Sequence, residues 1–338
     1  MGRSSKVLVI QTAFLGDVVL ATALIETLHN QDPSIEIHFL LRKGNESLLK
    51  RHPFLKRVWV YDKANKFSSM WHLVSAFRKE KFDAVFNLHR FLSSGLMAIA
   101  SGSNFVAGFD KNPLSFLYTK QVEHVIPFPF YKDGPYLHET ERNQMVLSSW
   151  ISASPCKPKL YPGPEDFEKV KGIAQQAFVT MAPGSVWPTK RLPESKWVEL
   201  VNTVPETYSI YFIGAPSETE LIDTIINKVR KRNGISNWSG KLSLLQSAAL
   251  MSLAERNFVN DSGPLHLATA MDAPVTVYFL STIPEFGFGP LSTDSEVVEI
   301  EEKLSCRPCG IHGFKVCPQQ HFRCGLNVRI DSKFPKKY

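Results

Sequence analysis

Hydrophobic positions along the chain arrive in two rhythms. Short apolar runs, Val7 to Ile10 first among them, alternate with longer stretches in which apolar residues recur at helical spacing. KVLVIQTAFLGDVVLATALIETLHNQ reads as a buried strand, a short loop and a helix beginning at about Asp17. EIHFLLRK, RVWVYDK and FDAVFNLHR follow as β-rich runs, each separated from the next by helical periodicity, which argues βα units on a parallel sheet.

The alternation breaks at SASPCKPKLYPGPEDF, where Pro155, Pro158, Pro162 and Pro164 fall within ten residues and can continue neither a helix nor a central strand. Beyond it the rhythm restarts: FVTMAPGS as strand and loop, ESKWVELVNTV as helix, SIYFIG as strand, SETELIDTIINKVRK as helix. LSLLQSAALMSLA (helix), NFVNDS (strand and loop), GPLHLATAM (helix) and APVTVYFL (strand) complete it. The expectation is an α/β protein of two lobes, residues 1–155 and 165–338, with ligands at the carboxyl ends of the sheets in a cleft between them. No sequence repeat links the halves.

Bulk properties narrow the partners. A chain of 338 residues, 43% hydrophobic and 21% charged, suits roughly two globular domains. No stretch approaches the roughly 20 apolar residues of a membrane span, and no secretion signal opens the chain, so a cytoplasmic location is expected. A net charge of +7 favours anionic partners, phosphate or lipid, while the aromatic residues do not interleave with Lys and Arg as nucleic-acid modules require. The five cysteines, an odd number in a chain without an export signal, are expected as reduced thiols.

Four loops could carry chemistry. In AFLGDVV, Asp17 is at once a candidate helix cap and a carboxylate able to accept a proton at the end of the first strand. Neither a GxGxxG nor a Walker pattern is present there, which disfavours a dehydrogenase or a P-loop enzyme. In APGSVWPTKRLPESKW, Gly184, Ser185, Lys190 and Arg191 bring backbone NH groups, a hydroxyl and cations onto one loop, as a diphosphate needs, or else form a basic surface loop. In NFVNDSGPLHLATAM, Asp261, Ser262 and Gly263 lead into a helix whose first NH groups are natural phosphate ligands, with His266 in its first turn. In FIGAPSETELID, Glu218 and Glu220 are within reach of a ribose diol, or are two solvated carboxylates.

The ordered set GDVVLATALIETL, APGSVWPTKRLPESKW, SGKLSLLQSAALMSLA, NDSGPLHLATAMDAP and CRPCG closely resembles glycosyltransferase family 9, the ADP-heptose:lipopolysaccharide heptosyltransferases, from about Val7 to Asn327. The resemblance implies a GT-B fold, two Rossmann-like domains with the donor held mainly by the second. It implies an inverting transfer of heptose from ADP-heptose to a lipopolysaccharide inner-core acceptor. Asp17 would be the base, and Lys190 would stabilise the departing diphosphate without a metal or other cofactor. Gly184, Ser185, Asp261, Ser262, Gly263 and His266 would hold the diphosphate, and Glu218 or Glu220 the ribose.

Arg42, Lys43, His89 and Arg90, at or just after strand ends of the first lobe, are expected to meet an anionic, lipid-linked glycan, with peripheral contact at the inner-membrane surface. Cys306, Cys309, Cys317 and Cys324 could form a zinc site with His312 and His321 as spare ligands. A different nucleotide sugar or acceptor on the same mechanism, or a non-catalytic nucleotide-sugar binding protein, is the competing expectation.

Overall fold

The computed structural model describes residues 4–126, 136–230 and 233–330. The chain divides into two compact units, unit 1 comprising Met1–Val125 and Leu137–Tyr161, unit 2 comprising Ile126–Tyr136 and Pro162–Tyr338.

Unit 1 runs β1 (Lys6–Ile10), α1 (Leu15–Gln31), β2 (Glu36–Arg42), α2 (Glu46–Leu49), β3 (Leu55–Tyr61), α3 (Lys66–Glu80), β4 (Ala84–Asn87), α4 (Leu92–Ala100), β5 (Phe105–Phe109), β6 (Lys120–Val122) and α5 (Glu139–Ser148). Its six strands are all parallel, in the order β3-β2-β1-β4-β5-β6. Val7, Leu8, Val9 and Ile10 are wholly buried, as a central strand covered on both faces must be. On one face α3 and α4 lie side by side over Leu8, Ile10, Trp59 and Val85, while α1 packs with α5.

Unit 2 continues with α6 (Pro164–Lys171), β7 (Phe178–Ala182), α7 (Glu194–Thr203), β8 (Ser209–Phe212), α8 (Thr219–Lys228), β9 (Ile235–Asn237) and α9 (Leu244–Leu253). β10 (Arg256–Asn260), α10 (Gly263–Ala270), β11 (Val275–Tyr278), β12 (Ser295–Val298) and α11 (Arg323–Leu326) follow. Its sheet, also parallel, has the order β12-β11-β10-β7-β8-β9. Counted from each unit's own first strand, both sheets read 3-2-1-4-5-6. This duplication is invisible in the sequence because only the burial pattern, not residue identity, is shared. Trp197, Ile210, Phe212, Phe258 and Tyr278 centre its core, under α7 and α8.

The strand order reverses between the first and fourth strands, and the connections on either side of that point leave a crevice at the strands' carboxyl ends. Unit 1 has it at β1/β4 and unit 2 at β7/β10. The residues that follow Ile10, Asn87, Ala182 and Asn260 are therefore placed by topology to line ligand sites.

Candidate active site

In unit 2 the fourth strand ends in Asn260, whose side chain organises the loop after β7. Its Nδ2 donates to the carbonyls of Pro183 (2.8 Å) and Gly184 (3.3 Å), and its Oδ1 accepts from the Leu192 NH at 2.9 Å. A single buried amide thus fixes both ends of the 183–192 loop. Arg191 Nε closes the loop on itself by donating to the Ser185 carbonyl at 2.7 Å. Thr189 Oγ1 accepts from the Phe314 NH at 2.8 Å and Ser281 Oγ at 3.1 Å.

Held this way, Lys190 Nζ reaches Asp261 Oδ2 at 2.5 Å. Asp261 is buried and also accepts from Thr282 Oγ1 at 2.7 Å. Ser262 has extended backbone at the start of α10 and its hydroxyl caps nothing, so the first NH groups of that helix carry no side-chain cap. Gly263 opens the helix and His266 is buried within its first turns. Arg307 ties down the loop after β11 by donating to the carbonyls of Leu280 (2.5 Å) and Thr282 (2.8 Å).

The two glutamates separate. Glu218 Oε2 accepts from the Ala215 NH at 2.8 Å, and its carboxylate lies so close to Gly184 and Gly214 that a Cβ on either would overlap it. Glycine is required at 184 for that approach. Glu220 is exposed in the first turn of α8. Of the pair, only Glu218 meets the loop after β7.

In unit 1, α1 begins at Leu15, so Asp17 is its third residue rather than its first. Its Oδ2 accepts from the Phe14 NH at 3.1 Å, so Asp17 reaches back from the third helical position to the N-cap residue and is not itself the N-cap. Its carboxyl is nevertheless pushed up to about 7, first by burial and then by the neighbouring Glu139 charge; the NH groups of Phe14 and Asp17 and the Arg90 cation oppose this and are outweighed. Burial works on Glu139 as well, but hydrogen bonding and charge from His124 and Arg142 hold its carboxyl below the ordinary value. Glu139 therefore stays charged where Asp17 feels it.

Around this carboxyl lies an electropositive mouth. His89 is buried, its Nδ1 2.8 Å from Thr12 Oγ1. Burial, reinforced by Lys63, Arg90 and Arg42, lowers its pKa to about 3, so it is a neutral ring that adds no charge. Arg42 lies over the Phe14 ring at 5.3 Å, and its buried Nε has no hydrogen-bond partner among the described residues. Lys43 is largely exposed and paired with Asp62 at 2.9 Å. Lys63, which sequence reasoning passed over, instead turns inward and donates to the Thr12 carbonyl at 2.9 Å. Its position two residues after the end of β3 was the available signal. Arg90 is exposed just after β4.

The four C-terminal cysteines are free and neighbour one another. Cys306 Sγ is 3.8 Å from His321 Nε2, and burial with the nearby thiols pushes Cys324 up to about 12. Among the described residues, however, the one set of three potential ligand atoms within 4.8 Å of each other is Glu36, His38 and Glu80. That set already holds Lys6 Nζ, 3.0 Å from Glu36 and 2.7 Å from Glu80. It lies at the amino end of the strands, away from the crevice, and acts as an ion-pair network.

Two Rossmann-like domains of this topology, one with a cationic loop beside an uncapped helix start, define a GT-B glycosyltransferase. The family model for glycosyltransferase family 9 (heptosyltransferase) matches residues 70–310, and the chain belongs to that family. Lipopolysaccharide heptosyltransferase 1 of Campylobacter coli is 22% identical over 318 residues, covering 89% of this chain and 91% of that one. Among solved structures, E. coli ADP-heptose lps heptosyltransferase II superposes with a TM-score of 0.75 at 20% identity, covering 95% of this chain and 97% of that one. E. coli heptosyltransferase WaaC with ADP gives 0.70 at 18% identity, covering 86% and 92%. The protein is an enzyme of the heptosyltransferase family of lipopolysaccharide core biosynthesis. No described helix is long and apolar enough to cross a membrane.

Proposed function

We propose that the protein is an inverting heptosyltransferase that moves heptose from ADP-heptose to an anionic, lipid-linked inner-core acceptor. The observation that carries this reading is Asp17, a carboxyl raised to about 7 in the crevice of unit 1, beside cations. A base poised near neutrality can take the acceptor hydroxyl's proton as the oxygen attacks the anomeric carbon from the face opposite the departing ADP.

The donor belongs to unit 2. Its diphosphate meets the first NH groups of α10, the Ser185 and Ser262 hydroxyls and Lys190, which exchanges its Asp261 partner for phosphate oxygens. Gly184 leaves room for Glu218 to reach the ribose, while Glu220 takes no part. His266 donates to the leaving diphosphate. No metal is needed in this scheme, because Lys190 and the helix start neutralise the developing charge. Relatives of known structure were solved with ADP and with ADP-2-deoxy-2-fluoro heptose, which supports this donor. Arg42, Lys63 and Arg90 supply positive charge for the acceptor's carboxylates or phosphates, and His89 shapes the floor. Lys43 sits at the rim.

The test is Asp17→Asn. Transfer from ADP-heptose should fall about 10²- to 10⁴-fold while ADP binding, followed by calorimetry, is retained. Unchanged transfer would remove Asp17 from the mechanism.

A further inference from the structure

The outside of unit 1 carries a surface that catalysis leaves unexplained. Exposed large aromatic side chains are not spread over the molecule: among the described residues Phe14, Phe67, Trp71, Phe91 and Phe116 all belong to unit 1, and unit 2 offers Phe314 alone. In an all-parallel sheet every strand ends at the same edge, so the segments that follow β1, β3, β4 and β5 share one rim. Each of those aromatics lies in such a segment.

Away from the crevice, the rim is built by two helices and a turn. α3 directs Leu73, Val74 and Phe77 into the core, yet Phe67 and Trp71, one helical turn apart, are 66% and 67% exposed. The adjacent α4 buries Met97 and Ala98 while Leu92 and Leu96, again one turn apart, face out. Beyond β5 the turn Ser115–Leu117 presents Phe116, 69% exposed, beside Leu117. Both helices therefore have a second apolar stripe that packing does not use, and exposed apolar stripes on adjacent helices signal a partner.

Charge selects the partner. Two acids of this rim are neutralised by lysines, Asp62 by Lys43 and Asp110 by Lys111, both at 2.9 Å. Lys66, over the Phe67 ring at 5.0 Å, is paired with no acid among the described residues. Exposed aromatic and leucine side chains with an unpaired lysine among them match the interfacial layer of a bilayer rich in anionic headgroups.

We propose that this rim of unit 1 is a membrane-docking surface: Phe67, Trp71, Leu92, Leu96, Phe116 and Leu117 enter the headgroup layer of an anionic bilayer, and Lys66 pairs with lipid phosphates. The proposal deepens the glycolipid reading of the acceptor, but its test does not depend on transfer.

The full chain is sedimented with vesicles of phosphatidylcholine, with and without phosphatidylglycerol, and Trp71 is followed by fluorescence against a Trp71→Phe control. The double variant Phe67→Ser/Trp71→Ser should bind the anionic vesicles at least about tenfold more weakly, the loss expected when two interfacial anchors go. Lys66→Glu should weaken binding severalfold on anionic vesicles and hardly at all on neutral ones. Both variants should keep the wild-type thermal melt, ADP affinity and transfer to a deacylated, water-soluble acceptor.

Wild-type protein that ignores anionic vesicles, or a double variant that binds them as wild type does, would overturn the proposal. So would a double variant that changes only the oligomeric state, because the rim would then join copies of this chain. Vesicle binding without transfer to any acceptor would sink the transferase reading and leave this one standing; transfer to the soluble acceptor without vesicle binding would do the reverse.

Discussion

The two units share one topology and differ in what their loops do at the equivalent point. In each, the fourth strand ends in an asparagine, Asn87 or Asn260. Asn87 Nδ2 donates to the Tyr118 hydroxyl at 2.7 Å, and the residues after it open onto neutral His89 and onto Arg90, whose charge acts on Asp17. Asn260 fixes a long loop, and the lysine of that loop is already matched to Asp261. Unit 2 is thus a finished cradle with internally balanced charge, suited to a ligand that repeats from one turnover to the next, such as a nucleoside diphosphate. Unit 1 is a basin in which Glu139 and the cations Arg42, Lys63 and Arg90 surround one proton acceptor. The same sheet hosts both because the ligand groups sit on the connections and not on the strands.

Substitutions can break this contrast from either side. The largest effect is expected at Asp17, where Asn removes the proton acceptor and keeps the shape. Because the folded pKa lies above the ordinary 3.8, ionising Asp17 weakens the fold as pH rises from about 4 through about 7. Asp17→Asn should therefore melt no lower than wild type above pH 7 while losing transfer, a separation that differential scanning calorimetry beside an ADP-release assay would show.

Next comes Lys190→Ala, expected to cost about 10²- to 10³-fold in kcat/KM by leaving the departing diphosphate unneutralised. Steady-state kinetics checks it, and a change confined to acceptor KM would contradict the assignment of Lys190 to the donor.

Asn260→Ala should loosen the cradle without touching unit 1. Loss of its buried bonds to Pro183 and Leu192 is worth about 1–3 kcal/mol of stability, read by urea unfolding, and donor KM should rise while acceptor KM stays.

The smallest effect is a shift. Glu139→Gln removes the charge that helps raise Asp17, so the pH at which transfer switches on should move down, with Arg142 still held by the Leu137 carbonyl at 2.6 Å. A pH–rate profile of this variant against wild type decides it.

Much of this was legible in the chain. β1, β2, β4, β7, β8, β10 and β11 announce themselves because inner strands covered on both faces are rich in apolar residues, and the edge strand β3 does so through its VWVY run. β6, β9 and β12 do not, being edge strands of three or four residues with little to bury. β5 hides for another reason: Gly108 is needed there because a Cβ would crowd the Asn87 carbonyl and Tyr118, and its FVAGF run is too small and short to stand out. At the sites, Asp17 and Asp261 could be named because they stand next to or near glycines where a strand gives way to a helix, and Lys190 because it shares a loop with Gly184.

Their partners could not. Thr282, Arg307 and Glu139 are distant in sequence from the groups they act on, by 21 residues in the case of Thr282 and Asp261. Lys63 and Lys43 look alike as text. Only the fold turns one inward to the Thr12 carbonyl and gives the other to Asp62. The neutrality of His89 likewise follows from burial among cations, which spacing does not encode.

The central claim is that the carboxyl of Asp17 is the group whose ionisation switches transfer on. The pH dependence of kcat/KM for wild type and for the residual activity of Asp17→Asn tests it most directly. The account predicts a wild-type rise with a midpoint of about 7 and no such rise in the variant. A flat wild-type profile, or the same rise in Asp17→Asn, would contradict it.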